Sequence, residues 1–241
     1  TKRCRAFYTC SARILIKALS MPTPIENCRI CSNPNLVQVL DLGEQSLTGT
    51  FPRSTTDKVT TGPLRLVKCC AKQGEDVCCL LQLAHSYDLG EMYGDNYGYR
   101  SGLNPSMVKH LHAKVEKIRG LIDLSTNDLV VDIGSNDSTT LQAYPPDSCR
   151  LVGIDPTGTK FRQYYPSHIQ LIPEFFSLAG FHEVFGTNQK VKVITSFSMF
   201  YDLEDPMEFM RSVHELLDKE GVWVFEQSYM PTMLKQNAFD T

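Results

Sequence analysis

From Pro105 onward, short apolar β-branched runs alternate with stretches of helical period, and few folds accommodate that alternation. The run Asp128-Leu129-Val130-Val131-Asp132-Ile133 has no polar alternation. Such a segment is a strand covered on both faces, as in a parallel sheet flanked by helices. Comparable runs stand at 150–155, 170–172, 191–196 and 221–226. Between them lie helical segments. Met107, Val108, Leu111, Val115, Ile118 and Leu121 share one face of a first helix; 138–144 and 207–217 give two more. The expectation is an α/β fold with a doubly wound, Rossmann-like parallel sheet.

In such sheets, ligands bind beyond the carboxyl ends of the strands. The first strand ends in Asp132-Ile133-Gly134-Ser135-Asn136-Asp137-Ser138, and the second in Asp155. A glycine lets the backbone turn close to a ligand. Ser135 and Asn136 offer short polar groups there, and a carboxylate at 155 can accept from two ribose hydroxyls. A dinucleotide calls for Gly-x-Gly-x-x-Gly, whereas the middle of this turn is Ser-Asn-Asp. Asp137 would repel a diphosphate, while the cationic, phosphate-free S-adenosylmethionine tolerates an acid. The candidate cofactor residues are therefore Asp132, Gly134, Ser135, Asn136, Asp155, Glu174, Phe175 and Ser196. Either Phe175 or Phe176 could lie against an adenine, with the other in the core. Residues 196–201 follow the fourth strand and would line the same mouth.

The first ninety residues follow different rules. Eight of the nine cysteines fall here, and short alternating runs at 36–40, 63–68 and 80–83 flank six of them, Cys28, Cys31, Cys69, Cys70, Cys78 and Cys79. Cys28-Arg29-Ile30-Cys31 is a knuckle of zinc-binding spacing. The second pair is drawn from Cys69 or Cys70 with Cys78 or Cys79, and Cys28, Cys31, Cys69 and Cys78 are taken as the ligand set of a structural Zn2+. Cys4, Cys10 and Cys149 read as incidental, and His85, His110, His112 and His214 as neither ligands nor catalysts. Residues 1–20 carry five basic residues and no acid, which fits either a mitochondrial transit peptide or translated upstream sequence. The expected organisation is a basic extension (1–20), a zinc-stapled strand-and-loop domain (21–90), a Tyr/Gly-rich connecting segment (91–104) and a cofactor-binding domain (105–241). A net charge of −3 and the absence of a basic stripe argue against nucleic acid as a partner, and no apolar run suits a membrane helix. A cytoplasmic location is expected, or a mitochondrial one if the leader functions.

Several stretches together resemble the sugar C-methyltransferases of deoxysugar biosynthesis. They are Cys28–Cys31, Asp41-Leu42-Gly43-Glu44-Gln45, 93–102, 131–137, 199–206 and Glu226-Gln227-Ser228-Tyr229. The resemblance implies a class I methyltransferase sheet behind an N-terminal zinc domain, with S-adenosylmethionine as methyl donor. It also implies a nucleotide-linked keto-deoxysugar as substrate, methylated through an enolate. The family's tyrosine-rich segment serves the active site, which makes Tyr97 and Tyr99 the catalytic candidates here. The second cysteine pair is more widely spaced than in the family, and Ser138 replaces a glycine. The family's His-Glu-His segment, which supplies the base, would follow Thr241. The 241-residue chain is therefore expected to bind the cofactor without completing the reaction alone. Two other readings are a zinc-containing binding module on a non-catalytic Rossmann-like scaffold, and an NAD-dependent oxidoreductase.

Overall fold

The structure is a computed structural model that describes residues 22–94 and 97–238; the leader expected at 1–20 lies outside these residues. The N-terminal part contains β1 (Thr23–Pro24), β2 (Leu36–Ser46), β3 (Thr61–Cys69), β4 (Leu81–Leu83), β5 (His85–Ser86) and α1 (Leu89–Met92). Strands β2, β3 and β4 form an antiparallel sheet, and β1 pairs with β5. Its apolar interior is small: among the described residues before 100, the buried hydrophobic side chains are Cys28, Val67 and Cys69. Two of these three are cysteines of the cluster, so burial of hydrocarbon alone cannot hold this domain together.

The second part contains α2 (Pro105–Leu121), β6 (Leu129–Ile133), β7 (Arg150–Ile154), α3 (Gly158–Phe161), β8 (Ile169–Ile172), α4 (Leu178–Phe185), β9 (Val191–Phe197), α5 (Pro206–Leu216), β10 (Leu217–Glu226) and α6 (Met230–Gln236). The five strands are all parallel, in the order β10-β9-β6-β7-β8. Numbered within the sheet, that is 3-2-1-4-5 read from β8, and the order reverses at β6. All five residues of β6 are buried, as the continuous apolar run requires. Side chains alternate across the sheet with period two. Leu129, Val131 and Ile133 meet Phe181 of α4 and Phe209, Val213 and Leu216 of α5 on one face. Val130, Leu151 and Val193 meet Val115 and Ile118 of α2 on the other. The fold class expected from the sequence is the one observed.

Helix α2 starts where its residues permit: Asn104 accepts a hydrogen bond from the Ser106 N–H, and Pro105 takes the first turn. Between β6 and β7 the expected helix over 138–144 is absent; only a 3-10 turn at Leu141–Ala143 forms. Asn136 and Ser138 are left-handed (φ 49° and 64°), and the Thr139 hydroxyl bonds to Asp137, competing with helical bonding. Pro145 and Pro146 then leave no length for recovery. The described residues of the connecting segment carry more regular structure than its lack of apolar period implied. It holds the end of α1 and a 3-10 turn at Ser101–Leu103, and Tyr97 bridges to Thr50.

Candidate cofactor and metal site

At the carboxyl end of β6 the chain turns through Gly134 at φ 78°, and its N–H donates to the Ile154 carbonyl. A methyl group at 134 would stand 3.2 Å from Met199 Cγ, so the turn requires glycine for both dihedral and space. Across from it, Asp155 is buried. Its Oδ2 accepts from the Asn136 N–H (2.8 Å), and its Oδ1 from the N–H (2.7 Å) and hydroxyl (2.5 Å) of Thr157. The turn and this carboxylate are thus locked together. Three internal bonds leave Asp155 about one lone-pair site for a ligand hydroxyl. Asp132 is enclosed beneath them and accepts from Thr195 Oγ1 (2.6 Å); burial pushes its carboxyl up to about 7.

The connecting segment lies on this turn. Ser101 N–H donates to Asn136 Oδ1 (2.9 Å), Asn136 Nδ2 donates to the Tyr99 carbonyl (3.2 Å), and Gly102 N–H donates to Asp137 Oδ2 (2.9 Å). Arg100 forms an ion pair with Asp137 at 3.1 Å and lies over the Tyr164 ring at 4.1 Å. This alters the argument made from sequence: Arg100 balances the Asp137 charge, so that acid does not repel a diphosphate. Discrimination against a dinucleotide rests instead on the single glycine and on the side chains of Ser135 and Asn136. Ser135 Oγ is bonded to Tyr165 Oη (2.9 Å), and that phenol also donates to the Asn136 carbonyl.

Tyrosines surround the mouth. Tyr93 Oη donates to Asp202 (2.6 Å). Burial, and then Asp202, holds the Tyr93 phenol well above its ordinary pKa; burial and then Asp155 do the same for Tyr97. Lys160 Nζ donates to the Tyr97 carbonyl, whereas Tyr99 is exposed. Buried phenols of this kind are hydrogen-bond donors rather than bases. Glu174 and Phe175 are exposed beyond β8, while Phe176 packs edge-on against Phe209 in the core (5.3 Å between rings). Ser196 requires a correction. It is fully buried and accepts from Trp223 Nε1 (2.9 Å), so it braces β9 against β10 instead of lining the mouth. His110 Nε2 pairs with Glu226 (2.9 Å), as does Lys114, tying α2 to the end of β10.

In the N-terminal domain, the Sγ atoms of Cys28, Cys31, Cys69 and Cys78 all lie within 4.8 Å of one another. A tetrahedral zinc site with Zn–S near 2.3 Å places sulfurs about 3.8 Å apart. The pairs Cys28–Cys78 and Cys31–Cys69, at 3.4 and 3.5 Å, fit that scale. The charges fit as well. Backbone N–H groups, of Cys78 and then Asn33, draw the Cys31 thiol down to about 6, whereas burial pushes Cys78 up to about 12, with the neighbouring thiols adding to the rise. Crowding opposes the loss of all four protons, and a bound dication would offset that opposition. Cys70 and Cys79 fall outside the group. Sequence reasoning missed Arg29, Tyr93, Arg100, Tyr165, Asp202 and Glu204. Arg29, Tyr93, Arg100, Asp202 and Glu204 lie inside the stretches that carry the family resemblance, whereas Tyr165 had no local signal.

The fold is thus a Rossmann-like sheet with the strand order of class I methyltransferases, behind a strand-and-loop domain that carries a four-cysteine cluster. The profile of the family Methyltransf_13, described as "Putative zinc binding domain", matches residues 28–93. The C-methyltransferase NovU of Streptomyces niveus is 27% identical over 220 residues, which cover 90% of this chain and 51% of NovU. The chain therefore spans about half the length of that curated relative. Among solved structures, the plantazolicin methyltransferase BpumL, in complex with a triazolic desmethylPZN analog and SAH, aligns at TM-score 0.44 and 14% identity, over 58% of this chain and 55% of that one. The precorrin-6y C5,15-methyltransferase of Geobacter metallireducens aligns at TM-score 0.37 and 16% identity, over 54% and 66%.

Proposed function

We propose that this chain is the zinc- and cofactor-binding part of an S-adenosylmethionine-dependent C-methyltransferase acting on a nucleotide-linked keto-deoxysugar. The carrying observation is the Gly134 turn hydrogen-bonded to Asp155 at the point where strand order reverses. Likeness to NovU across most of the chain supports the C-methyl chemistry, and the zinc-domain match supports Cys28, Cys31, Cys69 and Cys78 as ligands of a structural metal. The bound cofactor supplies an electrophilic methyl group. Asp155 takes a ribose hydroxyl with its remaining lone pair, and Gly134, Ser135 and Asn136 shape the turn against the rest of the cofactor. Asp132 supports that turn from below. Phe175 and Glu174 edge the mouth beyond β8. Tyr97, kept protonated by burial, donates to the oxygen of an enolate, and Tyr99 at the rim orients the sugar. The described residues are assigned to cofactor and metal binding and to the phenols that meet the enolate.

The three internal bonds to Asp155 favour a second reading, a binding module on a non-catalytic scaffold. Isothermal titration with S-adenosylhomocysteine, with metal analysis of the same sample, decides between them. Micromolar binding with one zinc per chain is expected; a folded, zinc-loaded protein that binds nothing selects the scaffold. Asp155→Ala should weaken binding by about 10- to 100-fold, the scale of a hydrogen bond to a charged group, with zinc content unchanged. Unaltered affinity removes the ribose assignment.

A further inference from the structure

Arg29 stands between the two cysteines of the knuckle, with its side chain mostly buried. Its guanidinium donates to Gln82 Oε1 (3.3 Å), the Leu83 carbonyl (2.8 Å), the His85 carbonyl (3.3 Å), Ser86 Oγ (3.1 Å) and Glu204 Oε2 (3.4 Å). The first four acceptors lie in its own domain. The fifth lies in the loop that follows β9, and Ser86 also donates to it.

That loop reaches the cofactor turn. Met199 stands against Gly134, Phe200 packs edge-on to Trp223 (5.3 Å), and Asp202 is held by Tyr93 from the connecting segment. A path therefore runs from Cys28 and Cys31 to their chain neighbour Arg29, across its ion pair to Glu204, and along the loop backbone to Met199 beside the glycine turn.

We propose that Arg29 is a positioning residue that couples the metal knuckle to the mouth of the cofactor site. A metal on Cys28 and Cys31 fixes the backbone on both sides of Arg29. The guanidinium fork, pre-organised by its four domain acceptors, then holds Glu204, and with it residues 198–204, in place. Loosening the knuckle frees the loop and withdraws Met199 from the turn. The effect on cofactor affinity rests on the function proposed above; the effect on the loop does not.

The test uses the zinc-loaded chain and the variants Arg29→Ala, Arg29→Lys, Glu204→Gln and Arg29→Ala/Glu204→Gln. Zinc per chain, backbone hydrogen exchange of 198–204 and the fluorescence response of Trp223, the single tryptophan, to S-adenosylhomocysteine are measured. Zinc should stay at one per chain in both single variants. Exchange in 198–204 should rise roughly threefold to tenfold in each, with no further rise in the double variant. The fluorescence titration should shift to several-fold weaker affinity, and Arg29→Lys should recover part of it. A purely local role in folding the zinc domain would lower zinc content and leave the Glu204→Gln loop unchanged. Unchanged exchange with zinc retained overturns the proposal. If Arg29→Ala does not fold, Glu204→Gln decides alone, because Glu204 lies outside the zinc domain. A wild-type protein with no response to S-adenosylhomocysteine defeats the cofactor assignment, while hydrogen exchange still decides the coupling.

Discussion

Asp132 is a carboxyl sealed inside the sheet beside a site expected to hold a cation, and its protonation has a cost that shows in stability. Burial raises it to about 7 despite the hydrogen bond from Thr195. Between roughly pH 4 and 7 the folded chain keeps this proton while the unfolded chain releases it, so stability from this group is lost as pH rises through that window. Asp132→Asn retains an acceptor for Thr195 and removes the charge. Its stability relative to wild type should be nearly unchanged at pH 4.5 and higher by about 1–3 kcal/mol at pH 7.5. Urea midpoints at the two pH values check this, and an equal difference at both would remove the assignment. Burial also keeps the Tyr93 and Tyr97 phenols protonated, so no titration of either is expected between pH 5 and 9.

At the scale of elements, the strands were legible because β6, β7 and β9 are short, β-branched and mostly apolar without regular alternation, as strands covered on both faces are. Helix α5 was legible from its period, and its start is fixed by Asp205, which accepts from the Glu208 N–H at 2.8 Å. Asp205→Ala should lower stability by about 1 kcal/mol, read from the urea midpoint. The segment after β6 was misread because Leu141 and Tyr144 have helical spacing whether or not the backbone between them is helical. The left-handed residues Asn136 and Ser138 are set by contacts with residues far along the chain. Arg100–Asp137 and Ser196–Trp223 were illegible for the same reason. No periodicity reports a pair that meets only after the sheet has closed. The knuckle spacing of Cys28 and Cys31 was local and therefore visible. Cys69 and Cys78, taken from the sequence over Cys70 and Cys79, are the two whose sulfurs converge with that knuckle.

Over the whole molecule, the two parts are held by different forces. The parallel sheet has two hydrophobic layers, whereas the N-terminal domain buries little hydrocarbon beyond two of its cysteines. Removal of the metal by a strong chelator should therefore unfold residues 22–86 and leave the parallel sheet intact. Hydrogen exchange would show fast exchange in β2 and β3 with β6, β7 and β9 still protected. Protection retained in both parts would mean that the cysteines staple nothing. No helix among the described residues is long and apolar enough to cross a membrane.

The central position of β6 bears on how the protein is made. The strand leaves the ribosome first of the five and finds β7 promptly, but its other edge awaits β9, whose first residue, Val191, lies far downstream. At the usual pace of translation that edge stays open for roughly 3–12 s. Throughout that interval an apolar strand with unpaired backbone groups is available to a neighbouring nascent chain. A slow codon or a pause that delays the emergence of β9 would lengthen the exposure. The arrangement that puts the cofactor turn at the middle of the sheet also makes yield sensitive to the timing of synthesis.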